Sequence, residues 1–121
     1  MACVLLIDDH PAILELGVDM LEALGHACIC AATGEAGVKA LSERPGEIDV
    51  IIMDFLLPDL DGAELFVRLK RIDPACRVIV SSGAEAGDQI SGLLGQGAVG
   101  SLRKPYRVGD LKKALETALG A

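Results

Sequence analysis

Ile48-Asp49-Val50-Ile51-Ile52-Met53-Asp54-Phe55-Leu56-Leu57-Pro58-Asp59-Leu60-Asp61-Gly62 carries the clearest sign of the architecture. Residues 48–53 read as a strand, and Val50-Ile51-Ile52 is a continuous β-branched run. That pattern suits a parallel strand covered on both faces better than one with a wet face. The run ends in a carboxylate, Asp54, where an acid is awkward without a role. Asp61 with Glu64 three residues on resembles a capping box. It opens a predicted helix over 63–72, in which Leu65, Leu69 and Ile72 fall at i, i+4 and i+7.

Val78-Ile79-Val80 repeats the buried-strand pattern over 78–81. Further strands are expected at 3–7 and 27–31, with a weak fifth at 99–103. Helices are expected over 13–24, over 35–44 with Thr33 as N-cap, and over 110–119, where Leu111, Leu115 and Ala118 share a face. Strict alternation of short apolar runs and amphipathic ones predicts one α/β domain over residues 1–121. Its expected architecture is a doubly wound five-stranded parallel sheet, order 2-1-3-4-5, with right-handed crossovers. The fourth helix must come from a stretch holding Gly83, Gly87, Gly92, Gly95, Gly97 and Gly100. Each interior Gly costs about 1 kcal/mol relative to Ala, unless close helix–sheet packing needs it. With only Ile90, Leu93 and Leu94 as large anchors, this helix is expected to be short, frayed or shifted. Residues 86–97 are expected to exchange their amide hydrogens fastest.

Composition bounds the function. The 121 residues are 51% hydrophobic and 2% aromatic, so a core must be built from Leu, Ile, Val and Ala. Area scaling gives roughly 6,200 Å² of folded surface, about a third of what the unfolded chain exposes. Eleven basic against eighteen acidic residues leave a net charge of −7, with no basic block to face a phosphate backbone, so direct nucleic-acid binding is not expected. Cys3, Cys28, Cys30 and Cys76 contain no Cys-x-x-Cys pair and are expected as small core residues in a reducing compartment. Met1 to Asp9 lacks the make-up of a signal peptide, and the uncharged stretch 89–102 is too short to span a membrane. A soluble cytoplasmic domain is expected.

In a doubly wound sheet the ligand site lies beyond the carboxyl ends of the strands, at the β1/β3 switch. Those ends carry Asp8-Asp9, Asp54, Ser81-Ser82 and Lys104-Pro105. Three carboxylates in one crevice, roughly 5 Å apart at an effective dielectric of about 20, repel by around 3 kcal/mol per pair. A bound cation, a lysine or protonation of one acid must compensate. Mg²⁺ with Lys104 closes the charge count, and such a site can accept a phosphoryl group, with an Asp carboxylate as nucleophile and Ser82 as hydrogen-bond donor.

Here the sequence resembles the receiver domain of bacterial two-component response regulators. The matching pieces are Leu5-Leu6-Ile7-Asp8-Asp9, Ile52 through Gly62, Val80-Ser81-Ser82-Gly83 and Lys104-Pro105. The resemblance implies a flavodoxin- or CheY-like (βα)5 fold and a phosphorylation switch that modifies only itself. It implies Asp54 as phosphoacceptor, Mg²⁺ on Asp9, Asp54 and the Leu56 carbonyl, and Asp8 acting through metal-bound water. Ser82 and Lys104 would bind the phosphoryl oxygens, and the Lys104–Pro105 bond would be cis. It implies a sensor histidine kinase or histidine phosphotransfer protein as donor, and a downstream protein reading the fourth helix, fifth strand and fifth helix. The Arg103-Lys104-Pro105-Tyr106 segment is similar to receivers of hybrid sensor kinases. Receivers commonly carry an aromatic switch residue where this chain has Ser101, so phosphorylation is expected to act by ordering the fourth-helix segment. Tyr106 looks like the core aromatic that follows the Lys-Pro pair.

Two alternatives compete: a small Mg²⁺-dependent phosphohydrolase, whose Asp-x-Asp motif would need an acid where Leu56 stands, and a receiver-like interaction module that is never phosphorylated. Gly95-Gln96-Gly97-Ala98-Val99-Gly100 matches G-x-G-x-x-G but precedes a predicted strand, the wrong context for a dinucleotide site. His10 is expected to be an ordinary loop residue.

Overall fold

The computed structural model describes residues 1–83 and 87–120. Its elements run β1 (Cys3–Ile7), α1 (Pro11–Ala23), β2 (Ala27–Ala31), α2 (Gly34–Glu43), β3 (Val50–Asp54), α3 (Gly62–Ile72), β4 (Val78–Ser82), α4 (Gly87–Gly95), β5 (Gly100–Arg103) and α5 (Val108–Ala118). The strands form one sheet, order β2-β1-β3-β4-β5, every neighbour parallel. The exposed area, 6203 Å², equals the expectation from chain length.

The continuous apolar runs are explained by burial on both faces. Leu5, Ile7, Ile51, Met53, Val78 and Val80 point to one side, where Leu41, Leu65, Phe66, Leu69 and Leu93 cover them. Val4, Leu6, Val50, Ile52 and Ile79 point to the other, under Met20, Leu21, Tyr106, Leu111 and Leu115. Ile72, the last apolar residue of the α3 stripe, is 38% exposed because the helix ends there.

Helix starts are set by caps that lie ahead of the first apolar residue. Thr33 Oγ1 accepts from the Ala36 amide at 3.0 Å, and Asp61 Oδ1 from the Glu64 amide at 3.0 Å, the Asp61 half of the expected box. Asp110 Oδ2 accepts from the Arg107 amide at 2.9 Å, so α5 begins at Val108, two residues before the expected start. Pro11 occupies the first turn of α1, where its missing N–H costs nothing.

The cysteine expectation needs correction. Cys76 is buried, Cys3 and Cys28 are half-buried, and Cys30 is exposed. β2 is an edge strand, so a residue near its carboxyl end has one neighbouring strand and incomplete cover from α1. The G-x-G-x-x-G stretch links the end of α4 to β5, with Gly97 at φ +113°, so no helix follows it.

α4 is short, nine residues, with Ile90 and Leu93 buried and Leu94 exposed. The 86–97 segment begins at Ala86, outside the described residues. Close packing does not account for two of its glycines, because among the described residues a Cβ at Gly92 or Gly95 would meet nothing within 4 Å. Gly62 is the opposite case, since a Cβ there would lie 2.3 Å from the Phe55 ring. Gly92→Ala should therefore stabilise the domain by about 0.5–1 kcal/mol. Gly62→Ala should destabilise it by about 1–3 kcal/mol through overpacking. Urea midpoints measure both, and shifts of the same sign would contradict this account. Among the described residues no helix is long and apolar enough to cross a membrane.

Candidate functional site

The parallel register brings the predicted residues together. Ile7 pairs with Met53, so Asp8 emerges from β1 level with Asp54 at the end of β3. Asp54 pairs with Ser81 and Ser82 with Arg103, which sets Ser82 and Lys104 on the next two strand ends. Backbone bonds fix these ends: the Asp8 amide donates to the Ala31 carbonyl at 3.0 Å, Phe55 to Ser81 at 2.9 Å, and Lys104 to Ser82 at 2.8 Å. Asp54 is the last residue of β3, one beyond the expected strand end, because its backbone still belongs to the ladder. The Lys104–Pro105 bond is cis, as the resemblance implied.

Asp8 is fully buried and Asp54 is 3% exposed. The Lys104 ammonium sits 2.6 Å from Asp8 Oδ2 and 3.0 Å from Asp54 Oδ2, so it bridges the two buried acids. Asp54 Oδ1 accepts from the Leu56 amide at 3.3 Å. Ser82 is buried, and its hydroxyl donates to the Gly83 carbonyl at 3.0 Å. The Leu56 side chain is exposed, and its backbone forms a bridge with Asp61. Tyr106 lies buried behind the acids, its phenol pushed up to about 12 by burial, with Asp8 and Asp54 adding to the rise. Ser101 is exposed on β5.

His10 was expected in a loop without a role, yet its ring joins the site. Nδ1 lies 2.9 Å from Asp8 Oδ1, 3.3 Å from Asp9 Oδ1 and 4.0 Å from Asp54 Oδ2. The sequence signal was its adjacency to Asp8-Asp9, which strand periodicity does not interpret.

The electrostatics follow from burial. Burial lifts the Asp54 carboxyl above its ordinary value, only partly offset by Lys104 and the Leu56 amide. Burial would lower the Lys104 ammonium, but contact with Asp8 and Asp54 outweighs it and the net shift is upward. The hydrogen bond to Asp8 lifts His10. The sign for stability is fixed by linkage. Between the ordinary value of 3.8 and its raised folded value, Asp54 binds more proton folded than unfolded, so stability falls as pH rises through that window. His10 acts with the same sign from its ordinary 6.5 upward. Asp54→Asn should therefore flatten the acid part of the metal-free pH–stability curve and be more stable than wild type at neutral pH. Urea midpoints from about pH 4 to about 8 test this. A wild type that is flat there and no less stable than the variant contradicts a burial-raised Asp54.

The site's donors suit a cation. Asp8, Asp9, His10 and Asp54 each place one ligand atom within 4.8 Å of the others. Among the described residues, Asp9 Oδ1, screened from solvent, has no hydrogen bond, and Asp8 Oδ2 has only the ammonium beside it. Three carboxylates against one lysine leave charge uncompensated, and oxygen donors of this kind hold hard divalent ions.

The family model of the response regulator receiver domain matches residues 4–116. This chain belongs to that family. The receiver is 32% identical over 115 residues to a probable C4-dicarboxylate response regulator of Bacillus subtilis, covering 93% of this chain and 50% of that protein. It is 29% identical over 118 residues to the sensor kinase CckA of Brucella abortus, covering 98% of this chain and 12% of the kinase. The chain thus spans half or less of the length of these curated relatives. A receiver-domain crystal structure from Clostridium thermocellum superposes with a TM-score of 0.94 at 32% identity, covering 98% of this chain and 94% of the other. The expected (βα)5 architecture and strand order are those of the family. As a receiver, the chain is a phosphoryl-accepting signalling domain of two-component systems, a class that works with histidine kinases and phosphotransfer proteins.

Proposed function

We propose that residues 1–121 form a single receiver domain whose phosphoacceptor is Asp54, with a phosphohistidine of a sensor kinase or phosphotransfer protein as donor. The observation that carries this is the Lys104 ammonium held at 2.6 and 3.0 Å between Asp8 and Asp54, with Asp9 facing the same crevice. A carboxylate oxygen of Asp54 attacks phosphorus, the O–P bond forms as the N–P bond breaks, and the electron pair leaves with the donor imidazole. Lys104 then exchanges a carboxylate for a phosphoryl oxygen, and Ser82 turns its hydroxyl from the Gly83 carbonyl to another. Mg²⁺ would be held by Asp8 through water and by Asp9, Asp54 and the Leu56 carbonyl, and it supplies charge neutralisation for carboxylates and phosphoryl oxygens.

The domain turns over no metabolite in this reading; it works in the cytoplasm and touches neither nucleic acid nor membrane directly. The output surface is α4, β5 and α5. A groove of about 600 Å³ between β5 and α5 runs past Ser101, Arg103, Lys104 and Lys113, and Leu94 on α4 and Val108 on α5 are exposed. With Ser101 in place of an aromatic ring, the phosphoryl signal passes through Ser82 to the α4 segment.

The metal arm is tested by thermal or urea unfolding with increasing Mg²⁺. A cation that binds only the folded cluster stabilises by about 2.7 kcal/mol at a hundredfold excess over its dissociation constant. Wild type should follow that curve and Asp9→Ala should lose most of it. Equal Mg²⁺ affinity in the two proteins removes Asp9 from the site.

A further inference from the structure

We infer that His10 is a metal ligand of this site, through Nδ1, and that it makes the pocket select late first-row divalent ions such as Co²⁺, Ni²⁺ or Zn²⁺ over Mg²⁺. The inference rests on the acidic pocket being the cation site proposed above. It adds a nitrogen donor, which the carboxylates alone do not provide.

The local chain delivers the ring. His10 stands at the N-cap of α1 with an extended backbone, φ −91° and ψ 113°, yet its side chain makes no capping hydrogen bond. Its backbone amide instead donates to Asp8 Oδ1 at 3.0 Å, which turns the residue back over the strand end. The ring is 60% exposed, so a cation can reach Nδ1 without opening the core.

The spacing fits coordination. Bonds of about 2.1 Å put neighbouring donors of an octahedron about 3.0 Å apart and opposite donors about 4.2 Å apart. Nδ1 lies 3.3 Å from Asp9 Oδ1, near the spacing of neighbours, and 4.0 Å from Asp54 Oδ2, close to that of opposites, and coordination would replace the 2.9 Å hydrogen bond that Nδ1 makes with Asp8 Oδ1. Among the described residues, Asp9 Oδ1 has no hydrogen bond that a cation would have to break. Carboxylate oxygens favour Mg²⁺ and Mn²⁺, whereas imidazole favours Co²⁺, Ni²⁺ and Zn²⁺, so one ring nitrogen moves the preference toward the latter. The same geometry would also arise if a protonated His10 merely stood in for a cation. The two cases predict opposite effects of removing the ring.

The test is Co²⁺ and Mg²⁺ titration of the whole chain at mildly alkaline pH, for wild type, His10→Ala, His10→Phe and Asp9→Ala. Isothermal calorimetry reads affinity, and proton NMR of the Co²⁺ form reads a hyperfine-shifted imidazole N–H. Wild type should bind Co²⁺ more tightly than Mg²⁺ and show the shifted resonance. Both His10 variants should lose the resonance and on the order of tenfold in Co²⁺ affinity, with Mg²⁺ affinity nearly unchanged. Asp9→Ala should weaken both ions. If the His10 variants bind both ions as tightly as wild type or more tightly, His10 is no ligand and the inference fails while the acidic site stands. If wild type binds neither ion, the cation site itself fails, and the inference with it.

Discussion

With Mg²⁺ and a small acyl phosphate as donor, the wild-type receiver should gain one phosphoryl group, labile to base and hydroxylamine, and Asp54→Asn should gain none. The substitution is nearly isosteric, so the Leu56 amide can still donate to the side-chain oxygen and the fold is kept. What disappears is the nucleophile, since an amide oxygen does not form a stable acyl phosphate. Asp8, fully buried and held by His10 and Lys104, has no free face toward a donor, and Asp9 sits at the rim. The expected effect is complete loss of label, read as intact mass. A stable phosphoryl group persisting on Asp54→Asn, for instance on His10, would contradict the assignment.

Lys104→Met should lower the stability of the metal-free domain by about 3 kcal/mol at neutral pH. The thioether keeps the apolar stem and removes the ammonium that bridges Asp8 and Asp54 at 2.6 and 3.0 Å. Removing one partner of a buried ion pair costs about 3–5 kcal/mol, and protonation of an acid trims the upper end. Against the roughly 5–15 kcal/mol of a small domain this is a large loss. Mg²⁺ or mild acid should recover much of it, because either replaces the missing positive charge or removes a negative one. Urea unfolding with and without Mg²⁺ measures the effect. A loss below about 0.5 kcal/mol, the range of an ordinary surface substitution, would mean that Lys104 does not neutralise the cluster.

The strand order and the convergence of Asp8, Asp9, Asp54, Ser82 and Lys104 were legible because they depend on alternation and on where apolar runs stop. Element ends were less so. The apolar pattern starts α1 at Ile13, but backbone geometry starts it at Pro11, a residue with no apolar face to show. Asp54 looks like a loop residue by polarity, yet its backbone pairs with Ser81 inside the sheet. Cys28 and Cys30 share a face of one strand, and only the edge position of β2 and the reach of α1 leave one half-buried and the other exposed. His10 was the main omission at the site. Its ring position comes from local hydrogen bonds of its amide and of Nδ1 to Asp8, two residues back, which no periodicity encodes. Lys104 was expected both to balance the carboxylates and to meet a phosphoryl group; the first is seen, since it is held by the two acids, as a buried ammonium requires a partner.

The most direct test of the phosphoacceptor is chemical trapping in the wild-type chain. The protein is phosphorylated with Mg²⁺ and a small acyl phosphate, then reduced with borohydride, which converts an aspartyl phosphate to homoserine, and sequenced by tandem mass spectrometry. The prediction is homoserine at position 54 alone. Homoserine at position 8, 9 or 59, or a phosphoryl group recovered on His10 with position 54 unreduced, would contradict it.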